Sequence, residues 1–174
     1  MTQHSVGWKS GLAAILVMAA FSVAAEEYLA RDDFLRLAFG DSEPEMQTLW
    51  MTEDTKAAAR DAVGWIPRAL RLRYWQAEGR TAWILEDIGK DKPITLGVAV
   101  SNNQIERVDV LAFRESRGWE IRYPFFTSQF SGLSLAEDGY LSGTVDGITG
   151  ATLSVRAVDR VARLALWLDA RVGG

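Results

Sequence analysis

Residues 94–111 read Ile94-Thr95-Leu96-Gly97-Val98-Ala99-Val100, then Ser101-Asn102-Asn103, then Gln104-Ile105-Glu106-Arg107-Val108-Asp109-Val110-Leu111. Large apolar side chains recur at alternate positions before the three-residue break and, apart from the step of three between Ile105 and Val108, after it. A strand sends successive side chains to opposite faces, so this period predicts two strands, and Ser and Asn between them suit a tight reversal. The same rhythm extends backwards. Candidate strands at 69–76, 81–87, 94–100 and 104–113 are separated by Glu78-Gly79-Arg80, by Gly89 to Pro93 and by Ser101-Asn102-Asn103. They compose an antiparallel β-meander, with Trp83, Leu85, Ile94, Leu96, Val98, Val100, Ile105, Val108 and Val110 on its buried faces. Alternation predicts one covered face and one that is wet or half-covered.

Helical spacing flanks this sheet. Leu29, Phe34, Leu37 and Ala38 lie on one stripe of a helix over 27–39, ended by Gly40 and Asp41. A second short helix is expected from Thr52 to about Ala62, with Thr52 as N-cap and Asp54 in its first turn. At the other end, Leu153 to Val172 forms a long helix with Val158, Val161, Ala162, Ala165 and Leu168 on its apolar face; Arg156, Arg160 and Arg163 lie across from it. Residues 114–143 read as irregular apart from a short helix around 125–130, and long irregular loops are commonly functional. The fold class is therefore α+β: an antiparallel meander packed by N-terminal helices and a long C-terminal helix. No repeat or linker divides residues 26–174, which read as one domain.

Composition narrows the chemistry. The 174 residues carry a net charge of −4 with no basic stripe, which argues against nucleic acid. There is no cysteine, excluding disulfides, zinc–thiolate sites and iron–sulfur clusters. The single histidine is His4; this leaves open Mg²⁺ or Ca²⁺ sites built from Asp and Glu alone, but no EF-hand spacing of acids occurs and no metal ligand is assigned. His4 lies in a segment that reads as a secretory signal peptide: Lys9, an apolar run from Gly11 to Ala25, and small residues placing cleavage after Ala24 or Ala25. The run is short for a membrane span, so an uncleaved anchor is the minority reading. An exported chain without cysteine points to a bacterial periplasm.

Residues 144–154 carry the chemistry: Thr144-Val145-Asp146-Gly147-Ile148-Thr149-Gly150-Ala151-Thr152-Leu153-Ser154. Gly147 and Gly150 permit positive φ and close backbone approach, and the stretch delivers three hydroxyls, on Thr149, Thr152 and Ser154, to the start of the C-terminal helix. Backbone N–H groups and the helix dipole there can hold a phosphate. The plainer reading is a turn followed by an N-cap from Thr149 or Thr152. A Walker-type loop is excluded, because no Gly-Lys-[Ser/Thr] follows.

Asp146-Gly147-Ile148-Thr149-Gly150-Ala151-Thr152-Leu153-Ser154 resembles the flavinylation motif Asp-x-x-[Ser/Thr]-Gly-Ala-Thr-x-[Ser/Thr] of the FMN-binding domain. That domain occurs in covalent-flavin subunits of sodium-translocating NADH:quinone oxidoreductase and of Rnf-type electron transport complexes, and in small periplasmic flavoproteins. The resemblance implies that Thr152 is joined to FMN as a phosphoester, made from FAD by a Mg²⁺-dependent flavin transferase that reads Asp146, Gly150 and Ala151. It groups Gly147, Thr149 and Ser154 with the cofactor site. Residues 105–118, ending in Arg114-Glu115-Ser116-Arg117-Gly118, are similar to the family's strand and Glu-Thr-x-Gly-like turn, which would put Glu115 beside the flavin. Here Ser116-Arg117 replaces Thr-Pro. Phe126 to Gly132 resembles its short aromatic helix. The similarity spans roughly residues 94–172.

A flavin ring wants a flat apolar slot, and Trp119, Phe125, Phe126 and Phe130 are the candidates to line it. Arg156, one turn beyond Thr152, could pair with the phosphate or lie on a solvated face. The resemblance implies an electron-transfer module serving a membrane redox partner, and leaves open whether it is also a stand-alone enzyme. No Gly-x-Gly-x-x-Gly fingerprint for NAD(P)H occurs. The alternative is a non-covalent periplasmic ligand-binding module that uses the meander as its pocket.

Overall fold

The computed structural model describes residues 26–173; the segment read as a signal peptide lies outside them. Among the described residues six antiparallel strands form one sheet in the order β1-β6-β5-β4-β3-β2. The predicted meander supplies four of them: β3 (Arg71–Ala77), β4 (Arg80–Ile88), β5 (Pro93–Ser101) and β6 (Gln104–Phe113). At the β5–β6 reversal Asn102 and Asn103 have φ of 52° and 59°. Two successive left-handed residues suit a two-residue hairpin turn, which asparagine tolerates well.

The two remaining strands were not apparent from the sequence. β1 (Glu26–Glu27) pairs with Phe113 and Ala112, so the first helix, α1 (Arg31–Phe39), starts four residues later than its periodicity suggests. β2 (Glu45–Trp50) is an edge strand beside β3 and is exposed along most of its length. With little burial on either face, its sequence has no strict alternation to announce it.

Helices cover both faces of the sheet. On one, α2 (Glu53–Val63) and the long α4 (Thr152–Val172) pack Val158, Val161, Leu164, Ala165 and Leu168 among Trp83, Leu96, Val98, Val108 and Val110. On the other, α1 sets Phe34, Ala38 and Phe39 against Ala82, Ala99 and Leu111. The small residues on the outer face of β4 and β5 make room for α1. A Cβ on Gly97 would lie 2.7 Å from the Phe34 ring. Phe34 is fully buried, a gain of roughly 1.5–3 kcal/mol over an exposed ring. The face expected to be wet or half-covered is thus partly roofed by α1.

Two of the three arginines assigned to the open side of α4 are drawn into the structure. Arg160 Nε donates to Asp87 Oδ2 on β4 (2.6 Å). Arg163 donates to Asp159 Oδ2 (2.9 Å), and its Nη1 donates to the carbonyls of Val63 and Gly139 (both 3.1 Å). Arg163 thereby fastens the long 114–150 connection to the helical layer. Near the far end of α4, Asp169 is buried and accepts from Thr81 Oγ1 at 2.6 Å, and Thr81 in turn accepts from Trp83 Nε1 at 2.9 Å. Burial raises the Asp169 carboxyl above the ordinary aspartate value, with the Thr81 hydrogen bond acting in the other direction. No helix among the described residues is long and apolar enough to cross a membrane.

Candidate functional site

The start of α4 is open. Ala151 occupies the N-cap position with no side-chain cap, and no acid stands in the first turn. The expected cap from Thr149 or Thr152 is therefore absent. Ile148 closes the preceding turn instead, its carbonyl accepting from Ala151 N–H (3.0 Å), while Gly150 sits at φ 84°. Thr152 is already the first residue inside the helix, where its side chain does not fold back onto the N–H groups, and it is exposed. Without a cap, the first-turn donors and the positive end of the dipole stay available to an anion.

A cleft of about 570 Å³ lies at this point, lined by Gly150, Ala151, Thr152, Leu153 and Ser154 from one side and Glu115, Ser116, Arg117, Lys90 and Asp91 from the other. Ser154 is buried rather than presented to solvent. It packs against Gly118, where an added Cβ would approach Ser154 Oγ to 2.6 Å and where φ is 86°. The turn after β6 comes this close to α4 only because residue 118 has no side chain.

Glu115 holds the opposite wall. Its Oε1 accepts from three successive backbone N–H groups of the β4–β5 loop, those of Lys90 (2.6 Å), Asp91 (2.6 Å) and Lys92 (2.9 Å). Burial opposes its charge, and the three amide donors outweigh burial, so its carboxyl lies below the ordinary glutamate value. Glu115 lines the cleft, and its observed bonds are to the loop that forms one side.

The remaining motif residues lie off the lining. Asp146 is exposed; its backbone N–H donates to Gln129 Oε1 (2.7 Å), and Gln129 Nε2 donates to the Phe125 carbonyl (3.1 Å). Gln129 thus pins the motif loop to the short helix α3 (Pro124–Thr127). Gly147, Thr149 and Arg156 are also exposed and are absent from the cleft wall. Of the four aromatics offered as a ring slot, Phe126 and Phe130 are fully buried and pack edge to face at 5.5 Å, so they belong to the core. Trp119 and Phe125 are exposed, joined by Tyr123 in a surface row.

The residues present fit a phosphorylated cofactor. An exposed hydroxyl and uncapped N–H groups face a cleft of ordinary ligand-site size, with Lys90 and Arg117 nearby. Residues 89–166 match the family model of the FMN-binding domain. Over these residues the chain is similar to that family. The matched stretch begins at the β4–β5 loop and ends within α4, and it contains every residue of the cleft. No curated protein matches the chain. Among the described residues no cluster of His, Cys, Asp or Glu could hold a metal ion. Lys90 and Asp91 had read as an ordinary hairpin turn, and nothing local to them announces that β4 and β5 deliver that turn to α4.

Proposed function

We propose that this protein is an exported electron-transfer flavoprotein whose FMN is joined to Thr152 as a phosphoester. The observation that carries the reading is an exposed threonine hydroxyl at an uncapped helix start, inside a complete flavinylation sequence and at the mouth of a cleft. Bound FMN supplies reversible one- and two-electron chemistry; the chain supplies attachment, orientation and charge. The α4 N–H groups, Lys90 and Arg117 balance the phosphate, and Glu115 keeps the β4–β5 loop in place beside it.

Attachment needs a Mg²⁺-dependent flavin transferase and FAD. The Thr152 Oγ–phosphorus bond forms as the pyrophosphate bond of FAD breaks; AMP leaves and the hydroxyl proton is released. Exposure of Thr152 suits modification by a second enzyme. A covalent bond also suits an exported protein, whose loosely held cofactor would be lost by dilution. Its partner in this reading is a membrane redox protein, and its compartment the bacterial periplasm.

Co-expression with a flavin transferase tests this directly. The purified protein should gain the mass of FMN minus water and remain fluorescent after denaturation in SDS. An unmodified Thr152 under those conditions sinks the covalent reading and favours a non-covalent ligand-binding module.

A further inference from the structure

The β3–β4 ladder stops early. Paired positions run from Ala77↔Arg80 to Tyr74↔Trp83, although β3 extends back to Arg71 and β4 on to Ile88. Each strand keeps its other neighbour, β2 through Trp50↔Arg71 and β5 through Ile88↔Pro93. The two strands therefore part inside the sheet rather than at its edge. Their backbone N–H and C=O groups face one another across the gap without ladder bonds. Such groups call for water or a ligand as partner. A cavity of about 750 Å³ occupies the opening, a volume usual for small-molecule sites.

Its lining has two chemical characters. Trp65, Ile66, Ile84 and Ile88 make apolar walls, and Arg68, Arg71 and Arg73 bring guanidinium groups. The acids beside them are already engaged. Asp87 accepts from Arg160 (2.6 Å), and Glu86 accepts from Thr95 Oγ1 (2.7 Å) and lies 3.7 Å from Arg114. Residues 62–77 contain those three arginines and no acid. Among the described residues none of the three has a carboxylate partner. Apolar walls, backbone hydrogen-bonding edges and uncompensated positive charge together fit a flat ring with polar atoms on its rim and electron density to spare.

We propose that the opening between β3 and β4 binds a planar, carbonyl-bearing redox ring. Two sources share that chemistry: the isoalloxazine ring of the protein's own FMN, or a free ring such as a quinone. The cavity adjoins the Thr152 cleft, with Gly89 lining one and Lys90 the other. Only the first source rests on the covalent reading proposed above.

The test uses the whole exported chain carrying Thr152→Ala, titrated calorimetrically with riboflavin and with 1,4-naphthoquinone-2-sulfonate. One of these probes should bind with one-to-one stoichiometry. The combined Arg71→Gln and Arg73→Gln substitution should weaken it by about tenfold or more, the loss of a charge-assisted contact. Both arginines are exposed, so circular dichroism and Tm should be unchanged. The flavinylated wild-type protein then separates the sources: loss of probe binding assigns the opening to the tethered ring, and retained binding assigns it to a free one. The proposal is overturned if neither probe binds, or if binding ignores the two arginines. Because the titration uses an unflavinylated chain, failure of the covalent reading would show separately, as a wild-type protein without flavin mass.

Discussion

Helix α2 follows Thr52, whose Oγ1 accepts from Thr55 N–H at 3.2 Å, and Glu53 and Asp54 stand in its first turn. Helix α4 follows Ala151, with an exposed Thr152 at its first position, no side-chain cap and no acid in the first turn. Both starts are rich in threonine, yet they differ in what happens to the positive end of the helix. In α2 the chain neutralises it internally, as a stable helix normally requires. In α4 no side chain caps that end and no acid stands beside it. Thr152, spared from capping, keeps a hydroxyl that another molecule can reach.

Thr152→Ala is the sharpest way to break this contrast. It should abolish covalent flavin completely, read as intact mass and as in-gel fluorescence after SDS, while Tm of the unflavinylated protein stays within error of wild type. A large fall in Tm would mean that Thr152 is structural. Gly118→Ala comes next. A Cβ 2.6 Å from Ser154 Oγ at a φ of 86° should cost about 2 kcal/mol in urea unfolding and slow flavinylation by shifting the start of α4.

Glu115→Ala should lower stability by about 1–2 kcal/mol, allowing for solvent around a partly exposed carboxylate. The folded-state value of this group is depressed, so its contribution is present above the ordinary glutamate range and is lost as pH falls through the folded value. The gap between wild type and variant should therefore be wide at neutral pH and close in acid. A gap that widens on acidification would refute the loop-anchoring role.

Thr52→Ala should cost about 1 kcal/mol through the lost cap and leave flavin content unchanged, the mirror image of Thr152→Ala. The smallest effect belongs to Leu153→Glu, which gives α4 the acidic first turn that α2 already has. It should stabilise the unflavinylated protein by roughly 0.3–1 kcal/mol and slow attachment of the anionic cofactor. Equal flavinylation rates for this variant and wild type would show that the open dipole is not used.

Sequence patterns were strongest where one local rule sufficed. Alternation announced β3 to β6 because each has a buried face, and Thr52 announced a cap because the motif is confined to four residues. The 144–154 turn was equally legible. The chemistry proposed for it would be carried by consecutive residues, so their order could be compared with a known motif. β1 and β2 are not legible in the sequence, because a two-residue strand and an exposed edge strand leave no period. Phe126 and Phe130, plausible as a ring slot by composition, lie in the core because the loop after β6 folds back under α4. That burial depends on residues far away in the chain.

From sequence alone, then, came the meander, the helical layers and the motif that makes Thr152 the candidate attachment point, all read from neighbouring residues and their period. Tertiary structure alone decided the surroundings of that threonine. It brought the β4–β5 loop to α4, turned Glu115 into the anchor of that loop, buried Ser154 beneath Gly118 and parted β3 from β4. Each of these is a contact between residues distant in sequence. Backbone hydrogen bonding and close packing settle such contacts only when the whole sheet is assembled.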